Sequence, residues 1–156
     1  MAKMTRNLVR AALTTRWTAL LTAGYATGAP APQVTRHATD KWIGRERVVV
    51  DASDGPLSIA TQRAGIKTLQ DEYELTVFVA VAVPGWSPDQ IEDRCTVLVE
   101  TLITDLATSP ALDGAVTGLA WCRPGQTRMY SELVDIAGAP TVAYVAEVTL
   151  EVMVRG

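Results

Sequence analysis

The stretch Glu72-Tyr-Glu-Leu-Thr-Val-Phe-Val-Ala-Val-Ala-Val83, running into Pro84-Gly-Trp-Ser-Pro-Asp-Gln90, decides the fold. Side chains alternate across a strand, so Tyr73, Leu75, Val77, Val79, Val81 and Val83 share one face and read as core. Glu72, Glu74, Thr76, Phe78, Ala80 and Ala82 share the other, which begins acidic and ends apolar. Pro84-Gly85 turns the chain. Ser87, Pro88 and Gln90 then spell a capping box with proline at the first helical position, where its missing N–H costs nothing. Ile91, Cys95, Leu98, Leu102 and Leu106 follow at helical spacing and predict a helix to about Ala107, its stripe laid on the odd face of the strand.

Downstream, Ser109-Pro110 stops the helix and Leu112-Asp113-Gly114 reverses the chain. Val116–Cys122 reads as a strand, Arg123-Pro124-Gly125-Gln126 as a hairpin loop and Thr127–Ile136 as its partner. After Gly138-Ala139-Pro140, a last strand alternates Val142, Tyr144, Ala146, Val148, Leu150, Val152 and Val154 with Ala143, Val145, Glu147, Thr149, Glu151 and Met153. It matches the Glu72–Val83 strand in length and pattern, which predicts lateral pairing of the two.

Upstream, Val9, Leu13, Trp17, Leu20 and Leu21 predict an amphipathic helix from Thr5 to about Ala23, with Arg6, Arg10 and Arg16 largely off its buried stripe. Residues Gly24–Asp40 lack periodicity and read as an extended arm. Arg45–Asp51 reads as a short strand, Ser53-Asp54-Gly55-Pro56 as a turn, Leu57–Thr61 as a second strand and Gln62–Asp71 as an exposed hairpin tip. The sum is one domain over residues 1–156: an N-terminal helix (1–23), an extended linker or arm (24–44), then sheet and central helix (45–156). The class is α+β, a mainly antiparallel sheet with an N-terminal helix and a long capped central helix packed on it.

Composition narrows the function. The 156 residues carry 14 Lys and Arg against 17 Asp and Glu, a net charge of -3, which offers no basic footprint for holding a phosphate backbone. Cys95 and Cys122 have no metal-ligand spacing and read as small buried hydrophobes. His37, the lone histidine, lies in a polar stretch and reads as solvated. Asp51-x-Ser53-Asp54-Gly55 has a faint likeness to a calcium loop but lacks the later bidentate acid, so it reads as a turn. No run approaches the roughly 20 apolar residues that span a bilayer. Lys3, Arg6 and Arg10 before Trp17–Ala23 and Ala29-Pro30-Ala31 imitate a secretory leader, but Arg16 and several threonines interrupt the apolar run. No catalytic residue, metal ligand or cofactor site is expected. Candidates such as Asp51, Asp54, Glu72 and Glu74 could form a carboxylate pair, but no Ser-His-Asp set, glycine-rich phosphate loop or metal cluster accompanies them, so they read as solvated acids.

The element order, together with Glu72–Val77 entering the strand, Ser87-Pro88 entering the helix, the Pro110-x-Leu112-Asp113-Gly114 turn and the alternating C-terminal strand, resembles the tail terminator (tail completion) proteins of long-tailed bacteriophages. The likeness is strongest to those of phages infecting actinobacteria, and it covers about Arg45 to Gly156. It implies a structural virion protein. Such a subunit forms a homohexameric ring on the head-proximal end of the tail, caps the tail tube protein, stops its polymerisation and joins the head-tail connector proteins. DNA passes through without specific binding, and no membrane is involved. In that setting Phe78, Ala80 and Ala82 are expected at the subunit interface, Gln62, Arg63, Gly65 and Lys67 at an inter-ring contact tip, and Asp71, Glu72 and Glu74 facing the lumen. A different connector or neck subunit, or a small α+β enzyme, are the alternatives.

Overall fold

Two long strands and two helices carry most of the buried surface. The computed structural model describes residues 2–23, 31–37, 45–52, 58–59, 70–136 and 138–155. Their order is α1 (Ala2–Ala23), β1 (Gln33–Thr35), β2 (Glu46–Ala52), β3 (Ser58–Ile59), β4 (Gln70–Val81), α2 (Pro88–Thr108), a 3-10 turn (Leu112–Gly114), β5 (Leu119–Ile136) and β6 (Ala139–Arg155). The strands lie in the order β1-β2-β4-β6-β5, and β3 pairs with the start of β4. Every pairing is antiparallel except β1 with β2.

The predicted partnership of the two long strands is present. β4 and β6 pair from Gln70↔Arg155 to Val81↔Tyr144 without a register break. Tyr73, Leu75, Val77, Val79, Val81 and Val83 are all buried, as are Ala146, Val148, Leu150, Val152 and Val154 opposite. α2 lays Ile91, Cys95, Leu98, Val99, Leu102 and Leu106 on this face. Its start is fixed as expected: the Ser87 hydroxyl accepts from the Gln90 amide, and the Gln90 side chain accepts from the Ser87 amide at 2.9 Å.

α1 packs beside α2 over β1 and β2, with Val9, Leu13, Trp17 and Leu21 buried and Leu20 partly so. It begins at Ala2, before the predicted start at Thr5, which therefore lies inside the helix. The arginines depart from expectation more sharply. Arg10 is itself buried, donating from Nε to the Val50 carbonyl at 3.1 Å and from Nη2 to the Arg36 carbonyl. Those carbonyls lie on β2 and just past β1, so one guanidinium ties the helix to both strands. Arg6 donates to the Glu74 carbonyl and lies over the Tyr73 ring. Arg16 grips Asp105 of α2 through two nitrogens, each at 2.8 Å, and Asp113 through a third at 2.7 Å, while Trp17 Nε1 also donates to Asp105. Long stems let these residues lie along apolar surface while their forks reach backbone carbonyls and carboxylates.

The predicted hairpin at Arg123–Gln126 is absent. β5 runs from Leu119 to Ile136 as one strand paired with β6 except at Ala120, Gly125 and Gln126, and Val116 precedes it. Two irregularities, between Leu119 and Trp121 and between Pro124 and Thr127, each place one extra residue on β5. Each insertion exchanges the faces. Core contact therefore passes from odd Leu119 to even Cys122 and back to odd Met129. Pro124 is tolerated at a bulge on β5, which among the described residues is an edge strand. A Cβ at Gly125 would lie only 3.2 Å from the Thr149 carbonyl oxygen, so the bulge keeps a residue without one. The extended arm is in part a strand: β1 lies within it, parallel to β2. The Ser53–Pro56 turn and residues 62–69 of the expected tip lie outside the described residues, whereas Gln70 and Asp71, expected in the tip, begin β4.

Candidate interaction surface

Both described helices cover the same side of the sheet. On the other side β4 contributes its even positions, β6 its odd positions and β5, beyond the second bulge, its even positions. The pairing registers then sort this side into two ends. At one end, Ala82, Ala143 and Val145 are buried, with Phe78, Ala80, Tyr130 and Val134 packed around them, and no described helix residue joins this cluster. At the other end Glu72, Glu74, Trp121, Arg123, Glu151 and Met153 line a shallow groove. Thr76, Gln126, Arg128, Glu147 and Thr149 lie between.

Three of the sequence-predicted residues, Phe78, Ala80 and Ala82, are thus together. They differ in exposure: Ala82 is buried within the chain itself, while Phe78 and Ala80 are half-buried. Small side chains on a strand are occluded by larger neighbours, here those of Tyr130 and Val134. Glu72 and Glu74 are exposed at the opposite end of the same face, whereas Asp71, expected with them, occupies an odd position of β4 and so belongs to the other face. The tip residues Gln62, Arg63, Gly65 and Lys67 lie outside the described residues.

The acidic end is organised by a cation that sequence reading assigned to a loop. Glu74 sits directly opposite Glu151, a like-charge pair that would repel. Arg123 answers it, donating from Nε to Glu151 at 2.8 Å while its guanidinium stacks 4.1 Å from the Trp121 ring. Arg128 plays a looser part beside Glu147 at 3.8 Å and lies over Tyr130, whose hydroxyl donates to Glu147 at 3.2 Å. Burial first, then the neighbouring Glu147 carboxylate, raises the Tyr130 phenol above its ordinary value. Both arginines became visible only once the bulges had placed β5 against β6; the missed signal was the length of β6, which demands an equally long partner.

Among the described residues no group of three His, Cys, Asp or Glu converges on a point where a metal could sit. Cys95 and Cys122, the two thiols, are buried and unpaired to each other, and burial pushes both up to about 12. No described helix is long and apolar enough to cross a membrane. No protein-family model matches the chain, and no curated protein matches it in sequence.

Proposed function

We propose that the chain is a structural virion subunit, a tail terminator that forms a ring on the head-proximal end of a phage tail tube, halts its growth and joins it to the head connector. The observation that carries this reading is the half-covered sheet. Both described helices lie on one side, and the other presents the half-buried Phe78 and Ala80 around buried Ala82 at one end and, at the opposite end, a carboxylate-lined groove in which Arg123 holds Glu151. A ring needs two different surfaces on each subunit that meet around the axis, and a face divided into an apolar and a charged end supplies unlike surfaces. The elements on which the family resemblance rests, apart from the hairpin expected at Arg123–Gln126, are present from Arg45 onward and are compatible with the same reading.

Native mass spectrometry of the assembled protein tests it. Six chains per ring are expected, and Phe78→Asp, on a half-buried position outside the main core, is expected to leave the monomer folded while abolishing the ring. A ring that survives this substitution removes the patch from the interface. A protein that forms no ring, alone or on tubes, overturns the function.

A further inference from the structure

β5 has a strand neighbour on one side only among the described residues, and its outer edge is long. Such edges pair with other chains unless something blocks them. The first half is blocked: both bulges and Pro124 fall between Leu119 and Thr127. The second half is not. From Thr127 to Ile136 it runs in unbroken register with β6, free of proline, and carries exposed Leu133, 72% accessible, on the helix side.

The charges on this open half identify the partner. Arg128 and Glu132 lie on the same side as Tyr130, with Tyr130 midway between them, and both are exposed. Charged residues on an edge ordinarily repel a second strand. Here their signs are opposite and their spacing is symmetric about Tyr130. When the strand meets a copy of itself antiparallel about Tyr130, each Arg128 stands directly opposite a Glu132 of the other copy, and the two Tyr130 rings face each other. Directly opposite residues in an antiparallel pair share a face, and opposite charges or aromatic rings placed so are stabilising. On the helix side the same register sets Met129 opposite Ser131 and Thr127 opposite the exposed Leu133, giving that leucine cover.

We propose that the free protein pairs through β5 with a second copy about a two-fold axis centred on Tyr130, joining the two sheets edge to edge. The interface is self-complementary and closed, so it cannot propagate into a ring. It uses the outer edge of β5, whose Arg128 and Tyr130 also border the open face, and its test is separate from that of the ring proposed above.

The test is a charge exchange read by native mass spectrometry and sedimentation of the full chain. Free in solution and not assembled on a tail tube, the parent is expected to be a dimer. Arg128→Glu and Glu132→Arg each place two like-charged pairs across the axis and are expected to weaken the dimer about tenfold or more. Mixing the two variants restores both ion pairs and is expected to give a heterodimer of parental affinity. In the register given, Tyr130→Cys is joined to itself by a short bis-maleimide, whereas Val134→Cys, opposite Gln126 of the other copy, is not; the native thiols are buried. A monomeric parent, or a dimer indifferent to both reversals, overturns the proposal. So does cross-linking through Val134→Cys in place of Tyr130→Cys.

Discussion

Gly118 shows how much of this chain's stability rests on single positions. Its φ of 83° is one that residues with a Cβ rarely adopt, and an added Cβ would overlap the Arg155 carbonyl oxygen. The Gly118 carbonyl in turn accepts from the Arg155 amide at 2.7 Å, closing the end of the sheet. Gly118→Ala is therefore expected to cost about 2 kcal/mol or more, read as a lower denaturation midpoint with unchanged slope. The thiols give a pH prediction. Burial raises Cys95 and Cys122 to about 12 from the ordinary 9, so the folded chain holds protons that the unfolded chain releases first. Their contribution is fully present below pH 9 and is lost as pH rises towards 12. Thiol reagents at pH 8 are expected to label neither cysteine until the protein is unfolded; rapid labelling of the native state would contradict their burial. Asp113 works in the opposite direction. Hydrogen bonds from Arg16 first, then Ser109, hold its carboxyl below the usual range, so its contribution is present above pH 3.8 and lost as pH falls through the lowered value. Asp113→Asn is expected to flatten the acid limb of the stability profile and leave the alkaline limb unchanged.

At the scale of elements, β4 and α2 were legible because every local signal agreed: strict alternation, a turn, a cap and a helical stripe, none relying on distant residues. A charge placed in their contact is expected to prevent folding. Leu98→Asp and Leu102→Asp each force a carboxylate into a site that is 2–3% exposed in the native chain. The penalty of several kcal/mol is comparable to the roughly 5–15 kcal/mol that holds a domain together. A soluble, cooperatively melting variant would show that the stripe faces elsewhere. Ser87→Ala, which removes only the cap, is expected to cost about 1 kcal/mol and leave the fold intact. β5 was not legible for a definite reason. Its two bulges exchange its faces twice, so no single period runs through it, and Pro124-Gly125 imitates a turn. Only pairing with β6 reveals a strand. The arginines of α1 were misjudged likewise, because their partners are the carbonyls of Val50, Arg36 and Glu74 and the carboxylates of Asp105 and Asp113, all remote in sequence.

For the whole molecule, the sequence announced the apolar end of the open face through Phe78, Ala80 and Ala82, but gave no hint of Tyr130 and Val134 beside them or of Arg123 holding Glu151 at the other end. A surface made by three strands is visible only when register is known. With 14 basic against 17 acidic residues, a ring of such chains is expected to leave duplex DNA free: at physiological salt, micromolar protein should show no detectable binding. Strong, salt-sensitive binding would contradict a channel that lets a genome pass. The most direct test of the central proposal is the length of tail tubes, measured by electron microscopy in particles assembled without this protein. A terminator is required for tubes to stop, so its loss is expected to give tubes of widely varying, excessive length that are not joined to heads. Tubes of normal, uniform length in its absence would contradict the proposal.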